Sequence, residues 1–345
     1  MGNKLPHYKL IMKKFIGLFL SLALACSSFA QMSGYSSSQS DGTALGANLT
    51  SNADGISLSN AVKLRGYIQT TFSHIDSDGD VNPTDIDASA DLDFLVNLSP
   101  VTAEVHLNPS ATTGEPILEQ AFARYSFSQD FHLTFGKQVT VLGFDGDEAP
   151  DLYAVTAAFR DVRKDYVEGF RLNYNNGFLG LVFGIHDTYG LAASRDDIAS
   201  NQPHLDDGMA IDLAASIMFF PGLEAQLGFA NENGPSGEKE DTQRFNGWVS
   251  WNPGDLTLAF EFDNIDYYDN KDELGIMLMA NYQFSDFLGA TFRYAHLNRD
   301  SEDVNRITLA ALLSLSENLG INFEYSHTSS DEDENEFYIE GLITY

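Results

Sequence analysis

Three carboxylates at alternate positions, Asp76, Asp78 and Asp80, form the densest candidate ligand set for a hard cation. Alternating acids in a loop can converge several oxygens on one calcium ion. The pattern then breaks, because Val81 stands where such a loop needs glycine and Asp87 stands in place of the closing glutamate. Asp196-Asp197, Asp206-Asp207 and Asp331-Glu-Asp-Glu334 read as solvated acidic surface. The histidines are scattered, with no His-x-x-x-His pair to chelate zinc, and His106, His132 and His186 read as ordinary polar positions. Covalent catalysis needs a nucleophile held beside a base. The chain has no Gly-x-Ser-x-Gly, and serine meets histidine only as Ser73-His74 and Ser326-His327. No enzyme, cofactor or specific metal site is expected.

The remaining chemistry lies in charged side chains placed within strand-like runs. In Leu256-Thr-Leu-Ala-Phe-Glu-Phe262 the leucines and phenylalanines share one face, and Thr257, Ala259 and Glu261 share the other. Leu288, Ala290, Phe292 and Tyr294 likewise oppose Gly289, Thr291 and Arg293, and Ile321, Phe323 and Tyr325 oppose Gly320, Asn322 and Glu324. The same phase puts Lys63, Arg65, Arg124, Arg171, Arg293, Glu104, Glu224, Glu261 and Glu324 opposite the apolar face. In a soluble sandwich the apolar face would be core. In a transmembrane barrel it meets lipid, and the charged face lines a lumen. An Arg or Lys facing lipid at mid-depth costs about 2–4 kcal/mol, so the inward orientation is favoured. There these charges either tune selectivity or pair locally to hold wall and loop together, and the two roles can coexist.

The export signal, the terminal strand and the asymmetry of loop lengths together decide between sandwich and barrel. Lys13-Lys14 precede the apolar run Phe15 to Ala25, and Ser28-Phe-Ala30 supplies a small-x-small exit, the plan of a signal peptide over residues 1–30. A membrane anchor is the competing reading, although the run is short for a span. Translation could also start at Met12. Cys26, the only cysteine, falls inside the signal; Ala25 permits lipoprotein cleavage there, but Ala23 replaces the usual leucine. Cleavage after Ala30 leaves no cysteine, hence no disulfide framework or thiolate metal site. It also takes four of the 19 basic residues, leaving 15 against 50 acids, a net charge of −35. That charge opposes nucleic-acid binding and draws cations, and it also fits a salty habitat. No later apolar run approaches the ~20 residues of a spanning helix, whereas a barrel, apolar at every second residue, agrees with the polar average. Residues 31–60 are Ser-, Gly- and Asn-rich and read as a flexible periplasmic segment, with 55–62 open to a short helix or an extra strand.

Alternation predicts sixteen strands: 62–74, 88–98, 101–109, 117–127, 131–139, 165–175, 178–187, 209–219, 223–231, 243–251, 255–263, 273–284, 287–297, 304–315, 319–328 and 336–345. An even number lets an antiparallel barrel close with both termini on one side. The last strand, ending on Tyr345, would be an exposed edge in a soluble protein and gains a partner only by pairing with the first. Tight turns such as Ser99-Pro100, Asn176-Gly177 and Glu317-Asn318 alternate with longer acidic connections. Short turns on one side and long loops on the other are the layout of an outer-membrane barrel over residues 61–345. Tyr125, Tyr174, Tyr282, Tyr294, Trp251 and Tyr345 near strand ends are candidates for interfacial girdles.

Sixteen strands enclose a water-filled channel that something must narrow. The longest connection, 140–164, carries Asp145, Asp147, Glu148 and Asp151, then an apolar patch from Tyr153 to Phe159 with helical potential, then Arg160, Arg163 and Lys164. A wholly solvated loop has little use for Leu152, Tyr153, Val155 and Phe159, so the loop is expected to fold inward; a surface cap or an oligomer contact is the alternative. Leu133-Thr-Phe-Gly-Lys-Gln138 before it resembles the Gly-(Arg/Lys)-Gln segment that enters the constriction loop of bacterial porins, and the loop is third among the long ones, as it is there. That resemblance implies a homotrimer and an acidic constriction loop facing basic residues, with Asp145, Asp147, Glu148 and Asp151 on the acidic side. It implies passive diffusion of small hydrophilic solutes and ions through the outer membrane, with lipid outside and no nucleic-acid partner. The acidity argues against an anion or phosphate role and for a modest cation preference. An occluded structural or adhesive barrel is the alternative.

Overall fold

The computed structural model describes residues 56–77, 83–109, 116–146, 148–158, 166–187, 209–233, 241–269, 271–299, 302–330 and 333–345. The expected signal, most of the N-terminal segment and the loop residues Asp78, Asp80, Asp147, Arg160, Arg163 and Lys164 lie outside them.

The described chain is almost entirely strand. In order these are β1 (Ile56–Ser57), β2 (Val62–Ser77), β3 (Thr84–Leu98), β4 (Val101–Pro109), β5 (Pro116–Ser126), β6 (Phe131–Val139), β7 (Tyr166–Asn175), β8 (Leu179–His186) and β9 (Ala210–Phe220). They continue as β10 (Leu223–Glu232), β11 (Thr242–Trp251), β12 (Leu256–Asp266), β13 (Asp272–Ser285), β14 (Leu288–Arg299), β15 (Glu302–Ser316), β16 (Leu319–Ser329) and β17 (Glu334–Thr344). From β2 to β17 each strand pairs antiparallel with its chain neighbours, and β17 pairs back to β2, closing a sixteen-stranded barrel. In the seam Leu342 pairs with Gln69 and Thr344 with Tyr67, and Tyr345 exchanges backbone hydrogen bonds with Gly66 at 3.0 Å each way. The terminal edge is thus removed by closure. Gly66 makes the seam possible. A Cβ there would lie 2.0 Å from the Asp91 carbonyl oxygen and 3.1 Å from the Tyr345 hydroxyl, which itself donates to that carbonyl.

β1 adds two residues to the start of β2, pairing Ile56 with Leu64, so the segment near residue 55 supplies a strand rather than a helix. The strands run further toward the loop side than alternation predicts. β3 begins at Thr84, and β14 and β15 extend until only residues 300 and 301 separate them. Polar residues such as Asp85, Asp87 and Asn305 therefore lie in strands; above the membrane the ladder no longer requires apolar side chains.

The outward face carries Leu258, Leu278, Phe292, Leu309 and Ile343, all exposed. At the tight-turn end it gathers aromatics. Tyr125, Phe127 and Phe131 contact in series at ring distances of 5.0 and 5.2 Å, and Tyr282 meets Phe284 at 4.9 Å. A contiguous apolar belt with an aromatic margin is what a lipid-facing wall requires. The inward face is polar. Arg171, Asp212, Asn246, Asp263, Glu324, Glu336 and Glu340 are buried there, out of phase with the apolar residues on the same strands.

Candidate functional site

The β6–β7 loop lies inside the barrel. Apart from the bonds of one short turn at Glu148–Leu152 and one from Ala158 to Asp145, its described backbone hydrogen bonds run to successive strands. Gln226 on β10 donates to the Val141 carbonyl (2.9 Å), Gly143 donates to Asn246 Oδ1 on β11 (3.1 Å), and Phe144 donates to Glu261 Oε1 on β12 (3.0 Å). Further on, Thr291 Oγ1 of β14 donates to the Tyr153 carbonyl (2.5 Å) and Arg293 Nη2 to the Thr156 carbonyl (2.6 Å). Thr156 in turn gives its N–H (2.9 Å) and hydroxyl (2.5 Å) to the carboxylate of Glu324 on β16. Each such bond satisfies a group that burial would otherwise leave unpaired. That is also why the described part of the stretch from Tyr153 to Phe159, as far as Ala158, is not helical. The carbonyls of Tyr153 and Thr156 and the N–H of Thr156 are taken by the wall, and the loop's only helical turn among the described residues is a 3₁₀ turn at Ala149–Asp151.

Packing repeats the pattern. Phe144 and Tyr153 stack at 5.9 Å and rest against Trp248, Met277, Met279 and Leu297, apolar residues on the lumen face that the loop covers. Val141 and Leu142 occupy a second patch with Val167, Ala214 and Ile265. Gly228 is the floor under Leu142: a Cβ there would lie 2.0 Å from Leu142 Cδ2.

The charged residues read from sequence fall into several places. Asp145 accepts from the Ala158 N–H at 2.7 Å and from Arg293 at 3.4 Å, bracing the loop against itself and the wall. Glu148 reaches His106 on β4, and Asp151 is half-buried in the 3₁₀ turn. Arg171 donates to Gln138 and to the Val139 carbonyl and sits 3.5 Å from Asp212. Arg65 contacts Asp93 at 3.0 Å and Glu104 at 3.8 Å. Lys63 lies exposed near the start of β2, Arg124 is partly buried on β5, and Glu224 is buried beside the β9–β10 turn. Asp147, Arg160 and Arg163 lie outside the described residues. Arg65, Arg171 and Arg293 thus each sit beside a carboxylate on wall or loop, and among the described residues no single ring gathers the basic residues against the acidic loop.

Several members went unread in the sequence. Arg306 bridges Glu336, Glu324 (3.6 Å) and Thr156 Oγ1 (3.3 Å), and Arg244 forks onto Asp263. Both are in lumen phase, opposite Ile307 and Phe245, so the alternation that picked out Arg293 also marks them. Asp91, Asp93 and His106 converge with Glu148. Their signal was an acid pair at i, i+2 on one strand, matched by Glu104-x-His106 on the next.

Among solved structures the barrel is similar to the outer-membrane channel DcaP of Acinetobacter baumannii (TM-score 0.62, 12% identity, 84% of this chain and 99% of that one). It is also similar to the anion-selective porin from Comamonas acidovorans (0.62, 14%, 83% and 99%) and to Salmonella typhi OmpF (0.60, 11%, 83% and 98%). The chain has the fold of bacterial outer-membrane porins. At these identities the likeness speaks to architecture alone. No protein-family model and no curated relative matches the sequence.

Proposed function

We propose that this protein is a passive diffusion channel of the outer membrane for small hydrophilic solutes and ions. The observation that carries the reading is the inserted loop: bonded to β10, β11, β12, β14 and β16, it narrows a polar lumen along one side. Near the loop's Glu148, Arg65 (25% exposed) and Glu104 (13% exposed) still meet solvent within the lumen.

Cation preference belongs to the same proposal. Eleven buried carboxylates stand against four buried arginines on the described lumen face. A surplus of one sign in a low-dielectric cleft raises the local concentration of the opposite ion. The Comamonas acidovorans neighbour is titled anion-selective; this chain is expected to differ. A homotrimer fits the trimer form recorded for OmpT of Vibrio cholerae.

The second reading is a closed structural barrel, favoured by the Phe144–Tyr153–Trp248 packing that fills part of the lumen. Purified protein in a planar bilayer separates the two. Discrete conductance steps with a cation-selective reversal potential across a KCl gradient are expected. Absence of steps would leave the closed barrel, and an anion-selective potential would overturn the charge argument.

A further inference from the structure

Asp91 and Asp93 of β3, His106 of β4 and Glu148 of the β6–β7 loop each bring one ligand atom to a point on the lumen wall, all within 4.8 Å of one another. Strand register builds most of this. Asp93 is the cross-strand partner of His106, and Asp91 lies two residues along on the same face. Three groups crowd His106 Nδ1: Asp93 Oδ1 at 3.0 Å, Glu148 Oε1 at 3.2 Å and Gln120 Nε2 at 3.2 Å. One ring nitrogen either donates or accepts a single hydrogen bond, so it cannot serve all three. Asp91 Oδ2 has no hydrogen bond although Asp91 is 0% exposed, and Asp93 Oδ1, on a residue 1% exposed, has only the crowded imidazole nitrogen beside it. Burying acceptors in that state is unfavourable unless something else satisfies them.

We propose that these four residues bind a first-row divalent transition-metal ion of the zinc type. Tetrahedral bonds of roughly 2.0–2.2 Å from such an ion to N and O ligands place the ligand atoms about 3.3–3.6 Å from each other. Nδ1 lies 3.0 Å from Asp93 and 3.2 Å from Glu148, so those pairs open by a few tenths of an ångström around an ion, while the wider separations of the set, within 4.8 Å, draw in. The other ring nitrogen, Nε2, lies 3.1 Å from Glu104 Oε2, the carboxylate support that fixes the tautomer and orientation of a metal-binding histidine. Charge agrees. Asp91, Asp93, Glu104 and Glu148 face one guanidinium, Arg65, and one imidazole, so the cluster keeps a formal negative surplus that a dication offsets. The imidazole sets the class: calcium and magnesium prefer oxygen throughout, whereas one nitrogen and three oxygens suit zinc or manganese. Because Glu148 belongs to the loop, the ion would tie the loop to β3 and β4, a stretch of wall separate from the Thr156 attachment on β14 and β16.

Calorimetric titration of the full-length protein in detergent, stripped with EDTA, tests this without reference to conduction. One Zn²⁺ per chain is expected, with Mn²⁺ at least about tenfold weaker and Ca²⁺ weaker still. His106→Gln should weaken Zn²⁺ by about a hundredfold and Glu148→Gln by about tenfold. Glu148→Gln leaves the barrel wall unchanged, and its folding is checked by the mobility of unheated protein in SDS gels; should His106→Gln fail to fold, Glu148→Gln alone carries the test. No Zn²⁺ binding, Zn²⁺ binding unaltered in folded Glu148→Gln, or Ca²⁺ bound as tightly as Zn²⁺ would each overturn the site. Stoichiometric Zn²⁺ binding by a protein that does not conduct would uphold the site while removing the pore reading.

Discussion

Thr156 is the point at which the loop is held most densely, and its release should open the channel. The side-chain hydroxyl donates to Glu324 at 2.5 Å, the N–H donates to the same carboxylate at 2.9 Å, and the carbonyl receives Arg293 at 2.6 Å. Hydrogen bonds to charged groups contribute about 1.5–3 kcal/mol each. Thr156→Val deletes the hydroxyl's short bond to Glu324 and its longer contacts from Arg306 (3.3 Å) and Arg293 (3.4 Å), while keeping the N–H, the carbonyl and nearly the same volume. Since 1.4 kcal/mol is tenfold, the equilibrium for local loop detachment should rise roughly 10- to 150-fold. Glu324→Ala removes both bonds and leaves Glu336 as the one carboxylate beside Arg306 among the described residues, so its effect should be roughly the square of that factor. Single-channel recording is the assay: Thr156→Val should show longer or more frequent high-conductance excursions, and Glu324→Ala a larger mean conductance. If both variants fold, and both keep the parent's conductance and noise, the loop does not restrict flow and the anchoring argument is wrong.

Other consequences are as direct. Gly66→Ala places a Cβ against the Asp91 carbonyl in the β2–β17 seam; it should cost on the order of 1–3 kcal/mol or more and reduce the folded band of unheated protein in SDS gels. Gly228→Val puts a side chain into the space that Leu142 fills and should displace the start of the loop, read as changed conductance with normal barrel circular dichroism. Burial first, with the charge of Asp145 adding to it and a hydrogen bond with Thr257 opposing it, pushes the Tyr153 phenol up from its ordinary value. Its contribution is therefore complete below the unfolded pKa of about 10 and is lost as pH rises above that. Thermal unfolding should show a decline in stability above pH 10 that is smaller in Tyr153→Phe.

The wall was legible in the sequence because a barrel strand writes its environment at every second residue: Phe292 and Arg293 cannot exchange faces without putting a guanidinium in lipid. The loop obeys no such period. Its conformation depends on which wall groups need partners, and Glu324 lies 168 residues from Thr156 along the chain. Its insertion was signalled by composition, through Leu152, Tyr153, Val155 and Phe159 in a charged connection, and by the resemblance of the Gly136-Lys-Gln138 segment before it. Which side chains meet was beyond that reading, so the histidine cluster stayed hidden: Asp93 and His106 become neighbours only once the β3–β4 register is fixed, and Glu148 joins them only once the loop has turned inward. The same reasoning explains why the described lumen arginines do not form one ring. A guanidinium in a low-dielectric wall gains most from the nearest carboxylate, and with acids in large excess Arg244 finds one on the next strand in Asp263 and Arg293 one on the loop in Asp145. Selectivity would then rest on the carboxylates left over after local pairing, rather than on a field set up between opposed rows.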